Sequence, residues 1–245
     1  FYSKHSSKIY KTGSPRADLW KLLFSDYWGT PMMAPKKPYL LVSSNMEAYM
    51  MKSFHDVLRF HKNAGYYKRD TELLEKQLGT ASESYTMTSK FIEAIKYLAN
   101  KNNDYDIVLR PHPTENIEAW KISLENISNV HVIREGSITS WVNNAFAVMH
   151  NGCVTALEAT FSGKPVVTYI PFKQEFARKL PNELGYSARS LDELLKIVND
   201  LFQKRNSDNE VSNRHLPDIV SKKIFFDKNE LSSYKMIKLW ENIGN

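Results

Sequence analysis

The stretch His150-Asn151-Gly152-Cys153-Val154-Thr155-Ala156-Leu157-Glu158-Ala159, closed by Gly163-Lys164-Pro165, decides how this chain is read. One apolar run, 145–149, leads into it and another, 165–169, follows it. Short apolar runs bounded by turn residues are the pattern of strands buried on both faces. Between them, 154–162 has helical spacing and stops at Gly163. Strand, glycine turn, helix and strand in that order is one step of a parallel α/β sheet. His150 then ends a strand, and Gly152 permits close backbone approach. The helix start offers N–H groups and a dipole to an anion. Glu158, about one turn further on, can accept two hydroxyls of a sugar or ribose diol. The plainer alternative is a core histidine with a surface glutamate.

The same alternation extends to both sides. Strands are expected at 38–43, 105–110 and 130–133, with helices at 47–63, 86–100, 116–125 and 137–143. Residues 66–84 read as a polar surface excursion with a helix of its own at 71–78. After Pro171 the apolar runs are helical, at 190–203, 218–226 and 230–243. Ser190 with Glu193 makes a capping-box pattern. Residues 1–37 are polar, aromatic and punctuated by proline, which suits a connector with one short helix at 18–24. The expected fold is therefore α/β: a Rossmann-like parallel sheet with helices on both faces. Ligands of such sheets sit at the carboxyl ends of the strands.

Composition narrows the classes. The chain has 245 residues, 42% hydrophobic and 24% charged, a globular mix that excludes a disordered or fibrous chain. Its one cysteine, Cys153, excludes a disulfide scaffold and suits a reducing cytoplasmic setting. No apolar run approaches the ~20 residues of a membrane-spanning helix. The net charge of +6 suits anionic partners or an anionic membrane face, and equally a solvated basic surface. Aromatic residues do not interleave with a basic stripe, so nucleic acid is not an expected partner. Neither HExxH, GxSxG, Walker A nor GxGxxG occurs, and no metal or cofactor is expected. Cys153 reads as a packed thiol more readily than as a nucleophile.

Three further strand ends carry candidate residues. Ser43-Ser44-Asn45 follows the first strand, where Ser44 and Asn45 could hold a phosphate or simply cap a helix. Arg110-Pro111-His112-Pro113-Thr114-Glu115 follows the second. Its two prolines hold His112 rigidly, ready to donate to a phosphate or sugar hydroxyl, with Arg110 for charge and Glu115 alongside. Gly136-Ser137-Ile138-Thr139 follows the third, where Ser137 and Thr139 suit contacts to a base or phosphate, or a plain helix cap.

Taken together, HNGCVTALEATFSGKPVV (150–167) resembles the donor-binding segment in the C-terminal half of GT-B glycosyltransferases. TGSPRADLW (12–20) is similar to the segment where the N-terminal domain of that family hands over to the C-terminal one. RPHP (110–113) resembles the His-Pro motif of bacterial transferases with cytidine-nucleotide donors, the Kdo and sialyl transferases and CDP-glycerol polymerases among them. The resemblance covers roughly 12–175. It implies a metal-independent glycosyltransferase of capsule or lipopolysaccharide synthesis, taking CMP-Kdo or a CMP-sialic-acid relative to a glycan or glycolipid acceptor. His112 and Pro113 would contact the nucleotide phosphate or base. Ser137 and Thr139 would sit by the nucleotide. His150, Asn151, Gly152 and Thr155 would line the phosphate, and Glu158 the ribose. A UDP-sugar 2-epimerase of the same shape, or a non-catalytic nucleotide- or glycan-binding module, are the alternatives. The implied domain plan is a connector at 1–37 from an upstream N-terminal domain, a nucleotide-sugar-binding domain at 38–228, and a crossover helix at 229–245. The setting would be cytoplasmic, with a peripheral seat at the inner membrane face.

Overall fold

A computed structural model describes residues 9–46, 53–63, 71–175, 179–206, 221–225, 227 and 229–243. Six strands form one parallel sheet: β1 (Tyr39–Ser43), β2 (Asp106–Arg110), β3 (Val130–Val132), β4 (Ala147–His150), β5 (Val166–Tyr169) and β6 (Tyr186–Ala188). Their order is β3-β2-β1-β4-β5-β6, and every neighbouring pair is parallel. β1, β2, β4 and β5 are buried along their whole length, because helices cover both faces of the sheet.

Side-chain alternation assigns each strand residue to one of two cores. Leu40, Val42, Ile107, Leu109 and Met149 point to one face, where they meet Phe91, Ile95 and Leu98 of α4 (Thr71–Lys101). Trp120 of α5 (Ile117–Ser123) and Leu194, Val198 and Phe202 of α9 (Leu191–Lys204) complete that layer. Tyr105, Phe146 and Phe202 close it with ring centroids 5.2 to 5.4 Å apart. Tyr39, Leu41, Val108 and Val148 point the other way, onto Trp141 of α6 (Ile138–Asn144) and Ala156, Ala159 and Phe161 of α7 (Thr155–Phe161). Each fully buried Leu, Ile or Phe contributes about 1.5–3 kcal/mol.

The N-terminal segment is packed and partly helical. It forms α1 (Pro15–Asp18), a 3-10 turn (Leu22–Phe24) and α2 (Ser25–Trp28). Ala17 joins the α6/α7 core, and Trp20 stacks on Phe161 at 6.1 Å. The Trp20 and Trp28 carbonyls accept from Ser162 and Ser140. The C-terminal helix α10 (Ser232–Ile243) is held to this segment, not to the sheet. Leu231, the residue before the helix, has no side-chain acceptor for a cap. Asp18 supplies one from 214 residues away: its carboxylate accepts from Ser232 N at 2.9 Å and Ser233 N at 3.1 Å. Lys21 bridges the same carboxylate at 2.9 Å and donates to Glu230 O at 2.8 Å. Gly13 at φ +88° lies so close that a Cβ would overlap the Ser232 hydroxyl.

Four elements differ from expectation. The pieces read at 71–78 and 86–100 are one helix, α4, of 31 residues. α8 (Lys179–Asn182) and β6 were not expected, and β6 adds an edge strand to the five foreseen. α3 (Phe54–Asn63) covers the later part of the helix read at 47–63. Residues 47–52, 64–70 and, in the helix expected at 218–226, positions 218–220 and 226 lie outside the described residues.

Candidate functional site

Register brings the candidate loops to one level. Ser43 pairs with Arg110 on one side and His150 on the other. The loops after β1, β2 and β4 therefore leave the sheet together. The chain's strand order also reverses between β1 and β4, the place where α/β sheets open a ligand crevice.

The β1 and β4 loops are clasped across that crevice. Asn151 accepts from Asn45 N at 3.0 Å and donates back to Asn45 O at 3.2 Å, matching both backbone groups with one amide. Asn45 Nδ2 donates to Gly152 O at 3.3 Å. Gly152 sits at φ +102°, in the left-handed region that glycine enters without Cβ strain. Beside it Ser43 Oγ lies 3.1 Å from Thr155 Oγ1 and 3.4 Å from Cys153 Sγ, and the latter two are 3.1 Å apart.

His150 lies beneath this loop, fully buried. Its Nδ1 accepts from Gly152 N at 2.9 Å. Thr168 Oγ1, 2.9 Å from Nε2, gives its own proton to the Leu184 carbonyl, so Nε2 carries the ring proton. Burial pushes the imidazole pKa down to about 3, which keeps it neutral. Both nitrogens are thus engaged inside the chain, and the ring shapes the Gly152 turn from below.

The second strand end is arranged similarly. Arg110 was expected to offer its charge to a ligand, but it is buried and donates to the carbonyls of Glu135, Arg134 and Gly136. Its guanidinium also lies 5.4 Å from the Trp141 ring centroid. Burial lowers its pKa, yet arginine remains charged. Glu115 accepts from Trp120 Nε1 at 2.8 Å, Met46 N at 2.8 Å and Ser44 Oγ at 2.7 Å. Burial raises its pKa in spite of these donors. Ser44 and Glu115 therefore tie the first loop to the second. Arg134, which sequence reasoning passed over, donates to the carbonyls of His112 at 3.2 Å and Glu115 at 2.6 Å. What this framing holds up is His112, half-exposed, with Pro113 exposed beside it. His112 Nδ1 accepts from Thr114 N at 3.3 Å and lies 2.8 Å from Thr114 Oγ1. In the neutral ring the proton is then on Nε2, the nitrogen away from the Thr114 contacts.

Glu158 differs from every other carboxylate in the crevice. It is 5% exposed, and its Oε1 has no hydrogen-bond partner. Burial raises its pKa, while the Thr139 hydroxyl and the Arg16 charge pull the other way. Thr139 is buried at the start of α6, where exposed Ser137 caps the helix by accepting from Thr139 N at 3.2 Å. α7 itself is shorter than the helix expected at 154–162, and its first amides are already bonded. Ala156 N donates to Cys153 O at 3.1 Å and Leu157 N to Val154 O at 2.9 Å. The Ala156 and Leu157 amides are therefore already occupied within the chain. An acceptor oxygen buried without a donor costs about 1–3 kcal/mol, a cost that a ligand hydroxyl would remove. Among the described residues no group of three or more His, Cys, Asp or Glu could hold a metal ion.

No protein-family model matches the chain, and no curated protein sequence does. Solved structures match over nearly its full length. A Listeria monocytogenes protein assigned as a UDP-N-acetylglucosamine 2-epimerase is 13% identical at TM-score 0.55, over 98% of this chain and 55% of that one. The Neisseria meningitidis UDP-GlcNAc 2-epimerase, bound to UDP-GlcNAc, is 13% identical at TM-score 0.53, over 96% and 56%. A variant of the wall teichoic acid polymerase TagF is 15% identical at TM-score 0.50, over 98% and 53%. The chain spans about half the length of each. At such identities the likeness is one of fold: a parallel α/β sheet with helices on both faces.

Proposed function

We propose that this chain is the nucleotide-sugar-binding half of a GT-B-type enzyme acting on a UDP-linked sugar, as a UDP-sugar 2-epimerase does. The observation that carries the proposal is the buried, half-satisfied carboxylate of Glu158, on the helix that follows β4. It matches a ribose diol, which offers two hydroxyl donors to one carboxylate. Thr139 orients it. His112 Nε2–H, exposed Ser137 and the Gly152–Thr155 turn would face the phosphates. Ser44, Asn45, Arg110, Glu115, His150 and Asn151 hold the loops that carry those contacts, and Pro113 stiffens His112.

Uridine is preferred to cytidine because two of the three similar structures above are UDP-GlcNAc 2-epimerases. This is an argument by fold analogy. A transferase with a cytidine-linked donor, CMP-Kdo or a CMP-sialic-acid relative, is the second proposal. The Arg110–Pro113 motif favours it, and the likeness to the polymerase TagF favours transfer over epimerisation. A glycan or glycolipid acceptor, an upstream N-terminal domain and a cytoplasmic seat peripheral to the inner membrane face belong to that second proposal. No helix among the described residues is long and apolar enough to cross a membrane.

Calorimetric titration with UDP, CDP, CMP and GDP separates the two. The expected result is a single site that prefers UDP, weakened several-fold in His112→Ala. Preference for CMP or CDP would replace the epimerase reading with the transferase one. Absence of binding by all four would remove both.

A further inference from the structure

We infer that Arg16, in the N-terminal segment, supplies the positive charge for the ligand's phosphates; the inference rests on the nucleotide reading of the crevice. The two arginines at the strand ends are already committed: Arg110 donates to the carbonyls of residues 134–136, and Arg134 to those of His112 and Glu115. On α7, about two turns long, the Ala156, Leu157 and Glu158 amides are bonded internally. A guanidinium meets a diphosphate well, and the bonded terminal nitrogens of these two arginines are turned to carbonyls instead.

Packing carries Arg16 to the crevice. The segment 17–20 lies beside α7: Ala17 belongs to the same buried core as Ala156 and Ala159, and Trp20 sits by Phe161 and Ser162 at the helix's far end. Arg16 precedes Ala17, so it lies toward the end of α7 that opens on the crevice. Its side chain is exposed, and its charge is felt at Glu158. The segment is anchored on both sides. Ser14 O accepts from Ala17 N at 2.9 Å, and Asp18 caps α10. Pro15 opens α1, where its fixed φ suits the first helical turn. An arginine on such a mount loses little freedom on forming its bonds, and its guanidinium fits two phosphate oxygens at once. The ribose hydroxyls at Glu158 and the 5′ phosphate at Arg16 would then be neighbours, as they are in a nucleotide.

The test compares nucleoside with nucleoside diphosphate. Uridine, UDP, cytidine and CDP are titrated into the wild-type chain, Arg16→Ala and Arg16→Lys, each checked for an unchanged thermal midpoint. Arg16 is exposed, so both variants should fold. The expected result is a loss of about 10- to 100-fold in diphosphate affinity in Arg16→Ala, with nucleoside affinity within about twofold. Arg16→Lys should recover part of the loss, and the salt dependence of UDP binding should flatten in Arg16→Ala. Equal losses for nucleoside and diphosphate, or no loss for either, would overturn the role of Arg16 while leaving the crevice as a nucleotide site. A wild-type chain that binds none of the four would overturn the site reading and this inference with it.

Discussion

Glu158→Gln should weaken UDP binding by about 10- to 100-fold and at the same time stabilise the free protein. A hydrogen bond to a charged acceptor is worth about 1.5–3 kcal/mol, and the amide replaces one of two carboxylate acceptors with a donor. Stability should move the other way. The carboxylate is buried, its pKa is raised by that burial, and Oε1 has no partner. Removing it from an apolar setting relieves about 1–3 kcal/mol. For a domain of this size that is a rise of roughly 2–12 °C in thermal midpoint. Thermal unfolding and titration of the same variant read both effects. A glutamate kept for structure would give a lower midpoint, and that outcome would end the ribose assignment. Opposed changes in stability and binding are the mark of a residue retained for its ligand.

Asp18→Ala carries the second large effect. Asp18 is 3% exposed and Lys21 is 6% exposed, so their 2.9 Å bridge is shielded from solvent. Burial alone would raise the Asp18 pKa, but the Ser232 and Ser233 N–H groups and Lys21 hold it below the ordinary value. Removing one partner of a buried pair costs about 3–5 kcal/mol. Lys21 keeps the Glu230 carbonyl, so the lower end applies, about 3 kcal/mol or roughly 6–12 °C. Loss of the carboxylate also uncaps α10 and frees the mount of Arg16. Denaturant unfolding should show the full cost, and α10 amides should exchange faster. A change below about 1 kcal/mol would mean that the segment and helix hold each other by apolar contact alone.

The sheet was legible because burial on two faces leaves a plain mark. Runs such as Tyr39-Leu40-Leu41-Val42 and Ile107-Val108-Leu109 have no polar interruption, and turn residues bound them. β6 left no such mark. Tyr186, Ser187 and Ala188 form a three-residue edge strand with one fully buried side chain. Its one signal is Gly185, at φ +71°, where a Cβ would collide with the Val166 carbonyl. α4 was read as two pieces because no position from 75 to 80 is buried and Gly79-Thr80 interrupts the pattern there, whereas Phe91, Ile95 and Leu98 mark its later part plainly.

Within the site, residue types were legible and atom commitments were not. His150 and Arg110 look alike in sequence to groups that face a ligand. Only the three-dimensional neighbours, Thr168 and Gly152 for one and the 134–136 carbonyls for the other, show where their nitrogens are engaged. Arg134 was missed because its partners, the carbonyls of His112 and Glu115, lie 22 and 19 residues earlier. Asp18 was missed for the same reason, on a longer scale. Glu158, by contrast, was placed correctly on its helix from spacing, and burial then singled it out.

The central claim, that the crevice between β1 and β4 is a nucleotide site, is tested most directly by hydrogen exchange of the chain with and without UDP. Slowed exchange is predicted in 43–46, 110–116, 136–139 and 150–158, with no change at the amino ends of the strands. Protection confined to other segments, or none at saturating UDP, would contradict it.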